Sequence, residues 1–235
     1  MNGTYKRLSP CYTGIGFFLT LSLFLLWGRL PVLHAADINW SVKGSIFFIP
    51  EDNGLEGDPM PVLPMPGFSA EFSLPYNLSL GTAYDLYATY YGYSSTLGRA
   101  VPVAIENRST FVLGNLLSFY ASYVMNIPAL TASGLRLRFS SGFSVDARLC
   151  LIADGLEGAD LEDAAAQTAQ VTSYFWSHGR WFFPFTGFGI DFVKLGNTWI
   201  GVEGRVWYPL YRTWSGDTAP AAEGWRVAAG LRVSF

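Results

Sequence analysis

The chain contains only two cysteines, Cys11 and Cys150, and only two histidines, His34 and His178. Most zinc, copper and iron sites need several ligands of these two types, so most such sites are excluded, and we predict no cofactor. Charged residues make up only 14% of the 235 residues, against roughly 25% in a soluble domain. Half of the chain is apolar, which excludes a disordered protein. The net charge of −3 gives no indication of nucleic-acid binding.

The N-terminal segment has the features of a secretory signal peptide. A basic start is followed by an apolar run over residues 15–27 and then by small residues. This run is too short for a membrane helix, which needs about 20 residues. We predict a signal peptide over 1–36, cleaved after Ala35 or Ala36, and one domain over 37–235; the alternative is an uncleaved anchor helix. The segment carries three basic residues and no acid, so cleavage changes the net charge to −6.

No later stretch is apolar enough for a membrane helix, and an alternating pattern recurs instead. Period two is the period of a β-strand, because successive side chains point to opposite faces. The alternation is seen near residues 38–48, 135–149 and 200–210. In the last eleven residues the apolar side chains share one parity: Trp225, Val227, Ala229, Leu231, Val233 and Phe235. The sequence therefore predicts an all-β fold.

The spacing of the strands predicts a barrel. We predict eight strands: 38–49, 67–75, 78–91, 110–125, 134–149, 180–193, 198–211 and 224–235. Three tight connections alternate with four longer ones, which are 50–66, 92–109, 150–179 and 212–223. Short turns at one end and long loops at the other are typical of an antiparallel up-and-down transmembrane β-barrel. An even, closed sheet leaves no backbone group unpaired in lipid.

Aromatic residues cluster at the predicted strand ends, as expected for belts at two membrane–water interfaces. We predict a loop-side belt of Phe48, Phe68, Tyr90, Tyr93, Phe111, Tyr208, Tyr211 and Trp225. The opposite belt is predicted to contain Trp40, Tyr76, Tyr120, Tyr123, Phe192, Trp199 and Phe235.

The chain resembles the small eight-stranded bacterial outer-membrane barrels, the broad group of the outer-membrane protein A domain, opacity proteins and outer-membrane protein W. The most specific part of the resemblance is the last strand, Ala229 to Phe235, with its alternating apolar residues and terminal Phe. The resemblance implies location in the outer membrane, contact with its lipid bilayer, and recognition of this C-terminal segment by the barrel-assembly machinery. It carries over no functional residue.

Charged residues occupy many of the strand positions that alternate with the apolar ones, and these positions are predicted to face the lumen. These predicted lumen residues are Lys43, Glu71, Asp85, Arg136, Arg138, Asp146, Arg148, Asp191, Glu203, Arg205, Arg226 and Arg232. The interior of an eight-stranded barrel is just wide enough for side chains to fill. A lone buried charge is costly, so we predict that these charges pair and plug the lumen. The alternative is a narrow porin-like path for small solutes with charge-based selectivity.

Two of the predicted loops are acidic. Residues 50–66 and 150–179 hold nine of the 18 acids and no Lys or Arg, and residues 161–170 favour a short helix. The spacing of an EF-hand is absent, so we predict no metal site. Solvated loops are one interpretation. A surface for an extracellular partner is the other, since exposed loops on a rigid scaffold commonly carry recognition.

Enzymatic activity is the weakest alternative. A lipid-modifying barrel needs a nucleophile and a base, and His178 beside Ser177 is the one available pair at the rim. Adjacent residues on a strand point to opposite faces, which is poor geometry for such a pair. We therefore predict no enzyme but a surface-interaction or structural protein of the outer membrane. A soluble carrier barrel is disfavoured, because the apolar parity of the last strand would form a large exposed patch.

Overall fold

The computed structural model describes residues 38–51, 61–103, 110–127, 134–153, 159–216 and 224–235. They belong to a compact unit that spans Asp37–Phe235, and the predicted signal peptide lies outside them. The strands of this part are β1 (Ile38–Phe48), β2 (Val62–Ser73), β3 (Leu78–Ser94), β4 (Arg99–Pro102), β5 (Thr110–Ile127), β6 (Leu135–Ile152), β7 (Phe182–Leu195), β8 (Thr198–Trp207) and β9 (Arg226–Ser234). Its helices are α1 (Ala159–Trp176), α2 (Arg212–Ser215) and a 3₁₀ turn, Pro75–Asn77.

Eight of these strands close into an antiparallel barrel, as predicted. Strand β1 pairs with β2, β2 with β3, and β3 with β5. Consecutive pairs then run from β5 to β9, and β9 pairs back with β1. Strand β4 pairs with β3 alone and extends that strand into a loop hairpin. Closure removes the free edges that an open sheet would expose.

The barrel wall separates two kinds of side chain. On β9, Arg226 and Arg232 are buried, whereas Val227 and Leu231 are exposed. The wall is a single layer, so buried residues of a strand face the lumen and exposed ones face outward. The outward face is rich in large apolar side chains on every side of the barrel, among them Trp40, Val42, Ile46, Phe68, Leu80, Phe139, Leu149, Phe188, Val202 and Leu231.

Strand β2 begins earlier than predicted, at Val62 instead of residue 67. The prediction failed because Pro64 and Pro66 suggest a loop. In the structure β2 pairs with β1 from Val62 onward but with β3 only from Gly67. The two prolines thus lie where the strand is paired on one side, and their missing N–H groups cost no bond to β3.

At the short-turn end β2 ends at Ser73 instead of residue 75, β5 at Ile127 instead of 125, and β7 at Leu195 instead of 193. The larger of the remaining differences lie at the long-loop end. Strand β8 ends at Trp207 instead of residue 211, just before Pro209. Strand β4 was not predicted, and β6 continues three residues beyond its predicted end to Ile152. Helix α1 contains the predicted helix over 161–170 but extends to Trp176, because its last turns pack against the barrel.

Several aromatic residues predicted for the interfacial belts face the lumen instead, among them Trp199, whose ring centre lies 4.7 Å from Cζ of the lumen residue Arg136. Tyr211 is buried in the core, and the Tyr120 hydroxyl donates to Glu71 inside the barrel. The prediction failed at Tyr120 because the parity of β5 places even-numbered residues inward. A Cβ atom at the neighbouring Gly81 would lie 2.5 Å from the Tyr120 ring. Glycine therefore leaves the space that this large lumen ring occupies.

Candidate functional site in the barrel lumen

The structure places all twelve charged residues predicted for the lumen in ion pairs. We define the turn end of the barrel as the end with the short connections and the loop end as the opposite one. Nine of the residues form a turn-end network, which consists of Lys43, Glu71, Asp85, Arg136, Arg138, Asp191, Glu203, Arg205 and Arg232. The other three form a loop-end network, which consists of Asp146, Arg148 and Arg226.

Asp85 is the most deeply buried acid of the turn-end network. Arg205 donates to both of its carboxylate oxygens, at 2.5 and 2.8 Å, and Lys43 Nζ lies 3.5 Å from Oδ1. Parallel bonds from one guanidinium to one carboxylate are among the strongest hydrogen-bonded pairs in proteins. Glu203 contacts the same two cations and also Arg232, at 3.7 Å. The network thus ties β1, β3, β8 and β9 together.

A second acid, Glu71, extends the network across the lumen. It accepts a hydrogen bond of 2.5 Å from Arg138 and one of 3.0 Å from the Tyr120 hydroxyl. Arg232 Nη2 lies 3.5 Å from the same carboxylate. These contacts connect side chains from β2, β5, β6 and β9, so they fix the relative positions of strands that are not neighbours in the sheet.

The loop-end network contains one carboxylate and two guanidinium groups. Asp146 Oδ2 accepts from Arg148 Nε and from Arg226 Nη1, each at 2.5 Å. The Tyr87 hydroxyl lies 3.0 Å from the same oxygen. Arg226 also stacks on Phe183, with its Cζ 4.0 Å from the ring centre. The Asp146 carboxylate therefore pairs with two buried cations.

Aromatic rings lie between the two networks. Asp85 and Arg205 of the turn-end network are each followed two residues later, toward the loop end, by Tyr87 and Trp207. Phe47 contacts both of these rings, with centroid separations of 4.9 and 5.8 Å. All three side chains are at most 1% exposed. Apolar material thus fills the lumen at mid-height, as the narrow interior of an eight-stranded barrel predicts.

Helix α1 packs against inward-facing side chains at the loop end of the barrel. Its residues Val171 and Phe175 are buried against Tyr91 and Val112, which face inward from β3 and β5. The Phe175 ring lies 4.9 Å from that of Tyr91 and 4.0 Å from Cζ of Arg148. The predicted loop 150–179 therefore places a helix against the barrel mouth. The helix continues beyond residue 170 because Val171 and Phe175 pack there.

The Ser177–His178 pair lacks the geometry of a catalytic dyad. Ser177 Oγ donates to the carbonyl oxygen of Tyr174, at 2.8 Å, and accepts from Arg180 Nη1, at 2.6 Å. His178 Nδ1 lies 3.1 Å from the same Arg180 nitrogen. Within the described ranges no hydrogen bond joins Ser177 to His178, so the serine has no base to activate it.

Two features are absent from the part of the chain that the structure describes. In that part, no group of three or more His, Cys, Asp or Glu side chains is arranged to hold a metal ion. None of its helices is long and apolar enough to cross a membrane.

Two solved structures are similar to this chain at low sequence identity. Neisserial surface protein A (NspA) matches with a TM-score of 0.47 and 11% identity, over 84% of this chain and 94% of that one. The outer membrane protein OprG from Pseudomonas aeruginosa matches with a TM-score of 0.47 and 9% identity, over 85% of this chain and 97% of that one. No protein-family model and no curated protein matches the sequence. The barrel architecture is established here by the strand pairing itself.

Sequence reasoning identified the charges of the lumen and a helix in loop 150–179, but it missed the aromatic layer and the packing of that helix against the barrel mouth. Tyr87 and Trp207 share the parity of Asp85 and Arg205, and this shared parity is the signal that places them inside. No comparable signal existed for the packing of α1, because a loop helix has no register with the strands.

Proposed function

We propose that this chain is an integral outer-membrane β-barrel of a diderm bacterium, with a closed lumen and a role in displaying its loops at the cell surface. The observation that carries the proposal is the inversion of an ordinary fold: ion pairs fill the inside, and large apolar side chains cover the outside. Such an exterior is stable next to lipid and unfavourable in water. The transmembrane assignment follows from that inversion.

The polar groups of the outward face are consistent with a lipid environment. Asn115 interrupts the apolar parity of β5, but its amide donates to the carbonyl oxygen of Ala147 at 3.1 Å. Its Oδ1 atom accepts from the Tyr84 hydroxyl at 2.6 Å. A paired polar group costs much less in lipid than an unpaired one. The soluble-carrier alternative has no comparable explanation for the exposed apolar residues.

Three layers support a closed lumen in preference to a channel. They are the turn-end network, the ring layer of Phe47, Tyr87 and Trp207, and the contact of α1 with the barrel mouth. Opening a path would separate buried ion pairs and leave their charges without partners, which is costly. A narrow porin-like path remains the second candidate function, because the charged lumen is its favouring observation.

The partners of the protein follow from the same proposal. The bilayer contacts the apolar exterior, and the barrel-assembly machinery recognises the C-terminal segment Ala229–Phe235. An extracellular partner would meet the acidic loops 50–66 and 150–179 on the outer side. On α1 the carboxylate side chains of Glu162 and Asp163 are exposed and available for such contact.

The experiment for this proposal is insertion into lipid. We expect the purified chain, refolded from urea, to insert into phosphatidylcholine vesicles and to migrate faster on a cold gel than after boiling. Folded barrels resist the detergent of the gel because every wall strand is paired on both sides. A chain that stays in the aqueous supernatant, folded without detergent or lipid, would contradict the membrane assignment.

A further inference from the structure

The turn end of the lumen opens into a vestibule with a basic floor. This cavity has a volume of about 400 Å³, and the polar and aromatic residues of its lining include Arg136, Arg138, Glu71, Trp199, Asn39 and Asn126. Arg136 is the most exposed cation of the turn-end network, with 21% of its side chain accessible. The floor of the vestibule is therefore the place where a solute can reach the network from outside.

The charges around the vestibule are not balanced. The turn-end network contains five cations but four carboxylates, and its nearest acid to Arg136 is Asp191. The pair is loose, because Arg136 Nε lies 3.7 Å from Asp191 Oδ2, which is longer than a hydrogen bond. Arg138 Nη2 lies 3.8 Å from that oxygen. Because Arg138 also pairs with Glu71, Arg136 is the cation whose nearest acid lies beyond hydrogen-bond distance.

Buried hydrogen-bonding capacity is left over at the same place. Among the described residues, Asp191 Oδ2 and Arg138 Nε have no hydrogen-bond partner, although both residues are at most 4% exposed. Buried donors without partners are rare and call for an explanation such as a bound ligand. Of these two atoms, the Arg138 N–H group matches an anionic oxygen, as does the excess positive charge of the network.

The geometry of Arg136 favours a planar anion. Its guanidinium group lies over the Trp199 ring, with Cζ 4.7 Å from the ring centre. Stacking holds the group in one plane and leaves its N–H edge for a partner, and this fork matches the two oxygens of a carboxylate. The amide side chains of Asn39 and Asn126 add neutral hydrogen-bond donors to the lining.

We propose that the vestibule is a binding site for a small monocarboxylate, held by Arg136 and Arg138. A monoanion matches the single excess charge, and a carboxylate matches the stacked guanidinium. The binding reaction itself needs only the folded barrel. That the ligand comes from the periplasm rests on the proposed function, because short turns of outer-membrane barrels lie on that side.

Fluorine NMR tests the site with acetate as the probe. The full chain is produced in a diderm bacterium with 5-fluorotryptophan and purified in detergent as the host processes it. The Trp199 resonance is assigned by its loss in Trp199→Phe. We expect sodium acetate to shift this resonance saturably, while acetamide and sodium chloride at equal concentration do not. Arg136→Gln should weaken acetate binding roughly tenfold, the value of one charge-assisted hydrogen bond.

The controls separate the site from general charge effects and from misfolding. Arg212→Gln changes a cation on the loop-end helix α2 and should leave acetate binding unchanged. Arg136→Lys keeps the charge but loses the fork, so its affinity should lie between those of the original chain and Arg136→Gln. A heat-dependent gel shift in each sample shows that the barrel has folded.

Three results would overturn the proposal. They are an acetate titration that does not saturate, equal acetate affinity of Arg136→Gln, and tighter binding of inorganic phosphate than of acetate. Each of these results, obtained on a heat-modifiable barrel, leaves the proposed membrane function standing. Loss of the gel shift in the original chain would instead contradict that function.

Discussion

Replacing Asp146 by asparagine is expected to lower the free energy of unfolding by about 3–5 kcal/mol, the usual cost of leaving a buried charge uncompensated. Asp146 is 1% exposed and pairs with both Arg148 and Arg226 of the loop-end network. The substitution keeps the shape of the side chain but leaves Arg148 and Arg226 without their anion. The measurement is equilibrium urea unfolding of the barrel in lipid vesicles, followed by tryptophan fluorescence.

Asp163→Asn is the matched control for this prediction. Asp163 lies exposed on α1, so the same chemical change should alter the unfolding free energy by less than about 0.5 kcal/mol. Adding Arg226→Met to Asp146→Asn removes one of the two cations that have lost the Asp146 carboxylate. The double variant should therefore recover part of the lost unfolding free energy. Equal midpoints for Asp146→Asn and Asp163→Asn would show that the loop-end network does not hold the lumen together.

Arginine in place of Leu231 is expected to cost about 2–4 kcal/mol, the range for a cation on the lipid face of a barrel near the bilayer centre. Leu231 is 60% exposed on β9, directly next to the buried Arg232. In water, arginine at such an exposed position would cost almost nothing. The expected loss therefore arises from lipid alone, and urea unfolding in vesicles measures it.

The control for the lipid face is Glu162→Arg, which introduces the same side chain on the exposed surface of α1. Its unfolding free energy should match that of the original chain. The position on the strand, and not the arginine itself, is then the cause of the loss at Leu231. If Leu231→Arg unfolds at the same urea concentration as Glu162→Arg, the outward face of β9 does not contact lipid.

Period two explains why the barrel and its charges were predictable from the sequence. On β9 the sequence alone assigns Arg226 and Arg232 to one face and Val227 and Leu231 to the other, and the structure has the same assignment. In a closed barrel the charged face of each strand must point into the lumen, since charges beside lipid are costly.

The pairing of the charges and the closure of the mouth were not predictable in the same way. The bond between Arg205 and Asp85 joins residues that are 120 positions apart, and which strands meet across the lumen depends on shear, which period two does not contain. Helix α1 was recognisable by composition. Its packing through Phe175 depends on where the loop folds back onto the barrel, and no local sequence pattern predicts this position.

The closed lumen is the central claim, and single-channel conductance tests it most directly. The purified chain is added to a planar bilayer in 1 M salt, roughly the strength at which weak surface charge effects are screened, and a known porin serves as the positive control. Insertion of the chain is verified by its heat-dependent gel shift. The structure leads us to expect insertion without current steps, because Trp207 and Phe47 lie in the lumen and α1 packs against the barrel mouth. Discrete, reproducible current steps from the inserted chain would contradict a closed lumen and make the protein a channel.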